Sequence, residues 1–160
     1  MTNMMNMTEM NLMIVQVTAA FIGSFGFAFF LKMRTRQAVM AAVGGGITWA
    51  LYLLLAAQLG GQFLPNLLAS IFVGIYAEIM ARVNRAPATV FLTTAAVPLI
   101  PGGSLYYTML GLVQQDEKLF AESGTKALTI ALAIALGFVT VAVANNFYLR
   151  LQSERQKNSG

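Results

Sequence analysis

Apolar residues along this chain run in five long stretches rather than alternating with polar ones: residues 12–31, 38–59, 63–80, 88–113 and 127–149. Short interruptions separate them. These are a basic knot at Lys32, Arg34 and Arg36, a turn at Gly60, Gly61 and Gln62, a second basic group at Arg82 and Arg85 before Pro87, and a charged segment over 114–126. A segment apolar on every side belongs in lipid or a deep core, and about 20 such residues in helical form cross a hydrocarbon layer of about 30 Å. The pattern predicts an all-α integral membrane protein with five transmembrane helices in one domain over residues 1–160.

Composition agrees with that class. Of the 160 residues, 58% are hydrophobic and 10% charged, against about 25% charged in a soluble domain. The chain has no Cys and no His, which excludes disulfides, thiol nucleophiles, imidazole bases and zinc sites. A net charge of +4 does not signal nucleic acid, because the cations stand at span ends instead of forming a patch. Their placement predicts orientation. Segments after spans one, three and five carry eight Lys and Arg, and the remaining segments carry two, Lys118 and Lys126. Cationic loops stay in the cytoplasm, so the N-terminus is expected outside and the C-terminus inside.

Span one lacks a positive region before it and exceeds the short apolar core of a signal sequence, so it reads as a span and not a cleaved leader. The start is rich in methionine (Met1, Met4, Met5, Met7, Met10). Such thioethers could hold Cu(I), but the stretch reads first as a frayed tail. The segment 114–126, with apolar Leu119 and Phe120, reads equally as a solvated loop or a short interfacial helix.

Span four carries the sharpest local signal. Pro98, Pro101, Gly102 and Gly103 interrupt it, and Ser104, Tyr106 and Tyr107 follow. Each proline removes a backbone donor and clashes with the preceding turn, and paired glycines weaken a helix further, so a break is expected. From Ala88 to Pro98 is about 16 Å at helical rise, roughly half the hydrocarbon thickness, which puts the break near the midplane. A second half-helix is expected over 104–113, with Ser104 as its N-cap. Broken backbone at that depth survives only inside protein or beside a wet cavity. The bare N–H groups at the start of a half-helix favour an anion such as a carboxylate, and broken helices mark substrate sites in secondary transporters. A kink that only shapes packing is the competing reading. Pro98, Pro101, Gly102, Gly103, Ser104, Tyr106 and Tyr107 are the candidate substrate-binding residues.

Glu78 is the acidic side chain placed within a span, and intramembrane ionisable groups are functional candidates because embedding them is costly. Arg82 stands one turn further on, where a helix would let the two form an interfacial ion pair. The structural pair and a coupling or gating role both remain open. Asn145 and Asn146, late in span five, need partners for their amides and read first as interhelix bonds. Gly44, Gly45 and Gly46 read as close-packing positions, as do Gly23 and Gly26 with Ser24. Trp49, Tyr52, Tyr76 and Tyr148 read as packing or interface aromatics. No enzyme constellation is present: no Gly-x-Ser-x-Gly elbow, no phosphate-cradling loop, and no lysine within a span to pair with Ser104. No cofactor is implied.

The sequence Glu78-x-x-x-Arg82, then Ala86-Pro87-Ala88, then Pro98-Leu99-Ile100-Pro101-Gly102-Gly103 resembles the threonine/serine exporter family. It looks like the short subunit of that family, equivalent to the C-terminal membrane half of the fused exporters, and the resemblance extends over most of the chain. It implies secondary export of small carboxylate-bearing metabolites: threonine and serine, or dicarboxylates such as succinate in other members. It also implies proton coupling, a place in the cell membrane, and a partner, a larger membrane subunit resembling the N-terminal half. The family's proline-glycine element falls on Pro98, Pro101, Gly102 and Gly103, and its acidic position on Glu78. Five is odd, so a second such unit joined in tandem would lie inverted, as in many transporters. A homo-oligomer is the other way to complete the pathway. A non-transporting scaffold subunit and a passive channel are the rival readings.

Overall fold

The structure, a computed structural model, describes residues 7–157. In order they form α1 (Met7–Phe30), α2 (Thr35–Leu59), α3 (Phe63–Asn84), α4 (Ala88–Ala96), a 3-10 turn (Val97–Leu99), α5 (Gly102–Gln114) and α6 (Glu117–Lys157). The helices α1, α2, α3 and α6 are each long and apolar enough to cross a membrane. The segments Ala88–Leu99 and Gly102–Gln114 pass that test together, as a pair bent by 58°. The all-α membrane architecture forms as expected, with the fourth span broken in the expected place. Of the methionine-rich start, Met1, Met4 and Met5 lie outside the described residues, while Met7 and Met10 belong to α1.

The last span differs from expectation. Only Gln115 and Asp116 separate α5 from α6, so residues 117–126 are neither loop nor separate helix but the first turns of α6. Gln115 takes the left-handed backbone (φ 55°) and returns its N–H to the Gly111 and Leu112 carbonyls, which closes α5. Asp116 Oδ1 accepts the Leu119 N–H at 3.0 Å and caps α6. After that cap no proline follows, and the helix runs on for 41 residues. That is about 60 Å, twice the hydrocarbon layer, so the polar first turns stand clear of the apolar part.

Packing follows the short side chains, because helices in lipid gain by close approach more than by burying apolar bulk. In the α1–α2 hairpin, Ser24 fills the space a Gly45 side chain would need, and Phe21 covers Gly46. The Tyr76 ring of α3 lies on Gly44, and its hydroxyl donates to the Met40 carbonyl of α2. Gly44 and Gly45 therefore do the close packing expected of them, while Gly46 makes only ordinary contacts. Gly23 and Gly26 do not, since a Cβ at either would meet nothing within 4 Å; they lie on the exposed side of α1, and Ser24 alone turns toward α2.

Helices α3 and α6 run parallel, with Ser70 against Gly137, Gly74 against Val141 and Arg82 bonded to Asn145. The buried Phe91 of α4 packs on Ala41 and Ala77. Leu99 packs on Ala69, Val73 and Ala95. Helix α5 stands apart, with α6 as its main neighbour. Gly111 presses on the Phe120 backbone there, so that a Cβ would come within 2.6 Å of its nitrogen.

Candidate functional site: a broken fourth span

Pro98 and Pro101 build the break. Pro98 offers no N–H, and α4 tightens into the 3-10 turn, where the Val97 N–H binds the Thr94 carbonyl and the Ile100 N–H binds the Val97 carbonyl at 3.2 Å. Ile100 is extended (φ −60°, ψ 126°), the conformation a following proline favours. The Gly102 N–H turns back onto the Ile100 carbonyl at 2.7 Å, and the ladder of α5 opens with Leu105 N–H to Pro101 carbonyl at 2.9 Å. The amides of Gly103 and Ser104 precede that first rung, a position where a helix supplies no acceptor.

Helix α5 thus starts at Gly102, with Pro101 as its N-cap residue, and the expectation of Ser104 as the cap is corrected. The fixed φ of Pro101, −76°, is near the helical value, and neither glycine holds a positive φ, so the helix resumes directly after the proline. Ser104 sits inside the first turn, where its carbonyl accepts the Thr108 hydroxyl at 2.7 Å.

The break lies midway up the bundle. The Pro98 ring is 3.7 Å from where a Gly45 Cβ would stand, and Gly45 is the eleventh of the 25 residues of α2. Gly102 and Gly103 are exposed, and a Cβ on either would meet nothing within 4 Å. Neither a positive φ nor packing among the described residues requires glycine at either position. Tyr106 and Tyr107 meet edge to face at 5.3 Å. Both are more than half exposed, so within this chain they flank open space and not an enclosed hollow.

Two buried polar atoms near Pro98, Ser24 Oγ and Trp49 Nε1, have no hydrogen-bond partner among the described residues. Leaving such a group unsatisfied costs about 1–3 kcal/mol. Trp49 stacks on Tyr52 at 4.9 Å and, with Gln16 and Pro98, lines a hollow of about 260 Å³. The sequence assigned both residues to packing. The available signal was that the chain's one tryptophan falls mid-span, where an indole N–H lacks water.

Glu78 and Arg82 lie apart from the break, in a groove between α3 and α6 of about 340 Å³ that also includes Thr140 and Asn145. The ion pair, one of the two readings their spacing allows, does not form. Arg82 instead donates to Asn145 Oδ1 at 2.8 Å, because the close approach of α6 at Gly137 brings that amide within reach. Asn145 therefore makes the interhelix bond expected of it. A third hollow, of about 600 Å³, lies at the opposite end of α3 among Gln62, Glu122 and Lys126.

The family described as threonine/serine exporter, ThrE, matches residues 16–144, an interval that contains the break, Ser24, Trp49, Glu78 and Arg82. No curated protein and no solved structure matches the chain.

Proposed function

The chain belongs to the threonine/serine exporter family, and from that membership we propose that it is the small subunit of a split secondary exporter of threonine and serine. It is a multi-pass membrane protein of a transporter family, and the proposed setting is the cell membrane, with the N-terminus outside as the cation distribution predicts. The observation that carries the reading is the interrupted fourth span, with the Gly103 and Ser104 amides ahead of the first rung of α5 and no side chain over Gly102 or Gly103. Amides so placed suit a substrate carboxylate, with Tyr106 and Tyr107 beside it. Helix α5 rests chiefly on α6, which supports a pathway completed by a second membrane subunit resembling the N-terminal half, or by a further copy. Alternating access then exposes the break to each side in turn, driven by a proton gradient, with Glu78 and Arg82 gating the cytoplasmic end.

The test is efflux. Cells loaded with threonine and producing this chain with its partner should lose threonine faster than cells lacking the chain, and a protonophore should abolish the difference. Replacing Pro98 and Pro101 together by Ala, which restores the ladder, should slow efflux by at least tenfold while the protein still reaches the membrane. Equal threonine retention with and without the chain overturns the reading.

A further inference from the structure

The α3–α6 groove carries a combination that the break lacks, a carboxylate and a guanidinium on one helical face in a largely apolar groove. Glu78 is half-buried and finds no hydrogen-bond or ion-pair partner among the described residues. Arg82 spends one N–H on Asn145, and its five-donor fork keeps others free. Side chains four apart on a helix stand about 6 Å apart at Cβ, and here the two charges have not closed on each other, which leaves room for a small bridging group. The groove volume, about 340 Å³, is at the low end of sites that hold small molecules. Ile75 and Ile79 on its rim are 49% and 50% exposed, so it opens on the flank of the bundle. A carboxylate there is costly against lipid, so in the working assembly this flank faces protein or water.

We infer that this groove recognises a zwitterionic α-amino acid. Glu78 accepts hydrogen bonds from the substrate ammonium. Arg82, steadied by Asn145, donates to the substrate carboxylate as a charge-assisted pair. Thr140 lines the same groove, and its hydroxyl proton is committed to the Leu136 carbonyl at 2.7 Å. Its oxygen therefore remains as an acceptor for a substrate hydroxyl, which matches threonine or serine. A dicarboxylate such as succinate meets repulsion at Glu78 and is disfavoured. The inference rests on the exporter reading for its substrate class, but it assigns a second recognition point, near the Arg85 end of α3, where export loads if the basic segments face the cytoplasm.

The test is equilibrium binding of radiolabelled L-threonine to the full chain, assembled with the partner subunit of the proposed exporter, in lipid nanodiscs. N-acetyl-L-threonine lacks the ammonium, L-threonine methyl ester lacks the carboxylate, and succinate lacks the zwitterion. Each should compete at least about tenfold worse than threonine, the factor expected for losing one hydrogen bond to a charged group. Glu78→Gln should weaken threonine about 10- to 100-fold and leave the affinity for N-acetyl-L-threonine unchanged. Arg82→Gln should weaken threonine similarly and leave the methyl ester unchanged. Competition by N-acetyl-L-threonine or succinate equal to that of threonine overturns the inference without reliance on any variant. So does wild-type affinity in Glu78→Gln, or an absence of saturable binding by the wild-type chain. Any of these results alongside chain-dependent threonine efflux removes the groove assignment and leaves the exporter reading standing; loss of that efflux difference overturns the exporter reading itself.

Discussion

The three consecutive glycines of α2 should respond to the same substitution in three different ways. At Gly45 an added Cβ would run into the Ser24 side chain, with the Ser24 Cβ at 2.7 Å, and would also touch the Pro98 ring at 3.7 Å. Rotating the serine hydroxyl away does not relieve the clash between the two Cβ atoms, so α1 must retreat by most of an ångström and uncover the seam it closes. Overpacking of this kind costs about 1–3 kcal/mol. At Gly44 the new methyl would meet the Tyr76 ring, which cannot swing away without breaking its hydroxyl bond to Met40, so the cost falls in the same range. At Gly46 the nearest atom, Phe21 Cβ, is 3.6 Å away, an ordinary contact, and because alanine favours helix over glycine by about 1 kcal/mol, Gly46→Ala should be neutral or stabilising. The assay is denaturant unfolding of purified protein in mild detergent, followed by the Trp49 fluorescence. Ser24→Gly removes the obstructing atoms, so Ser24→Gly combined with Gly45→Ala should recover about 0.5–3 kcal/mol relative to the sum of the single changes. Equal effects at all three glycines, or strict additivity of that pair, would refute the packing argument.

Two further outcomes are expected in the same assay. Gly111→Ala places a methyl 2.6 Å from the Phe120 nitrogen and 2.9 Å from its Cα; backbone cannot step aside as a side chain can, so the α5–α6 hairpin should open at a cost of about 2–3 kcal/mol, and a neutral result would mean that the two helices do not pack here. Asn145→Leu removes the acceptor of Arg82, which lies on the exposed side of the groove, so the loss should be near the average of about 0.6 kcal/mol for interhelix bonds in membrane proteins, with no change for Asn146→Leu.

The spans were legible because hydropathy over 20 residues is a strong signal and lipid permits few alternatives. The break was legible for a local reason: Pro98 and Pro101 each delete a rung, whatever the tertiary context. Its fine structure was not. Placing the cap at Ser104 followed the usual preference for a hydroxyl, but the φ of Pro101 had already fixed the helix start two residues earlier. The extent of α6 was missed because charge in 117–126 says where a segment sits and not whether its backbone is helical; the Asp116 cap and the absence of a breaker decided that. Pairing Arg82 with Glu78 is one of two readings the sequence offers, because spacing along one helix can be read from it. The Asn145 partner comes from another helix, brought in by Gly137 and Ser70, and no single sequence states which faces meet. Gly23 and Gly26 show the converse. A glycine in a span suggests close packing, but only the register of the neighbouring helix decides which glycine receives it.

The arrangement of α5 constrains what the working form must contain. A polar backbone group bare in hydrocarbon costs several kcal/mol, and the Gly103 and Ser104 amides precede the first rung of a helix that bends 58° from α4 and leans on α6. Lipid cannot satisfy them. A Cβ built at Gly103 finds no neighbour within 4 Å, so no side chain among the described residues packs against that face of the first turn. Water or another subunit must therefore reach this side of the break, and the same reasoning applies to Glu78 in its lateral groove. Both positions lie on surfaces that this chain leaves open, the break midway up the bundle and Glu78 toward the Arg85 end of α3. In the proposed exporter, a second membrane half that covers both surfaces would enclose a continuous polar route from the groove to the break. The six α-helices of the described residues do not provide that enclosure by themselves.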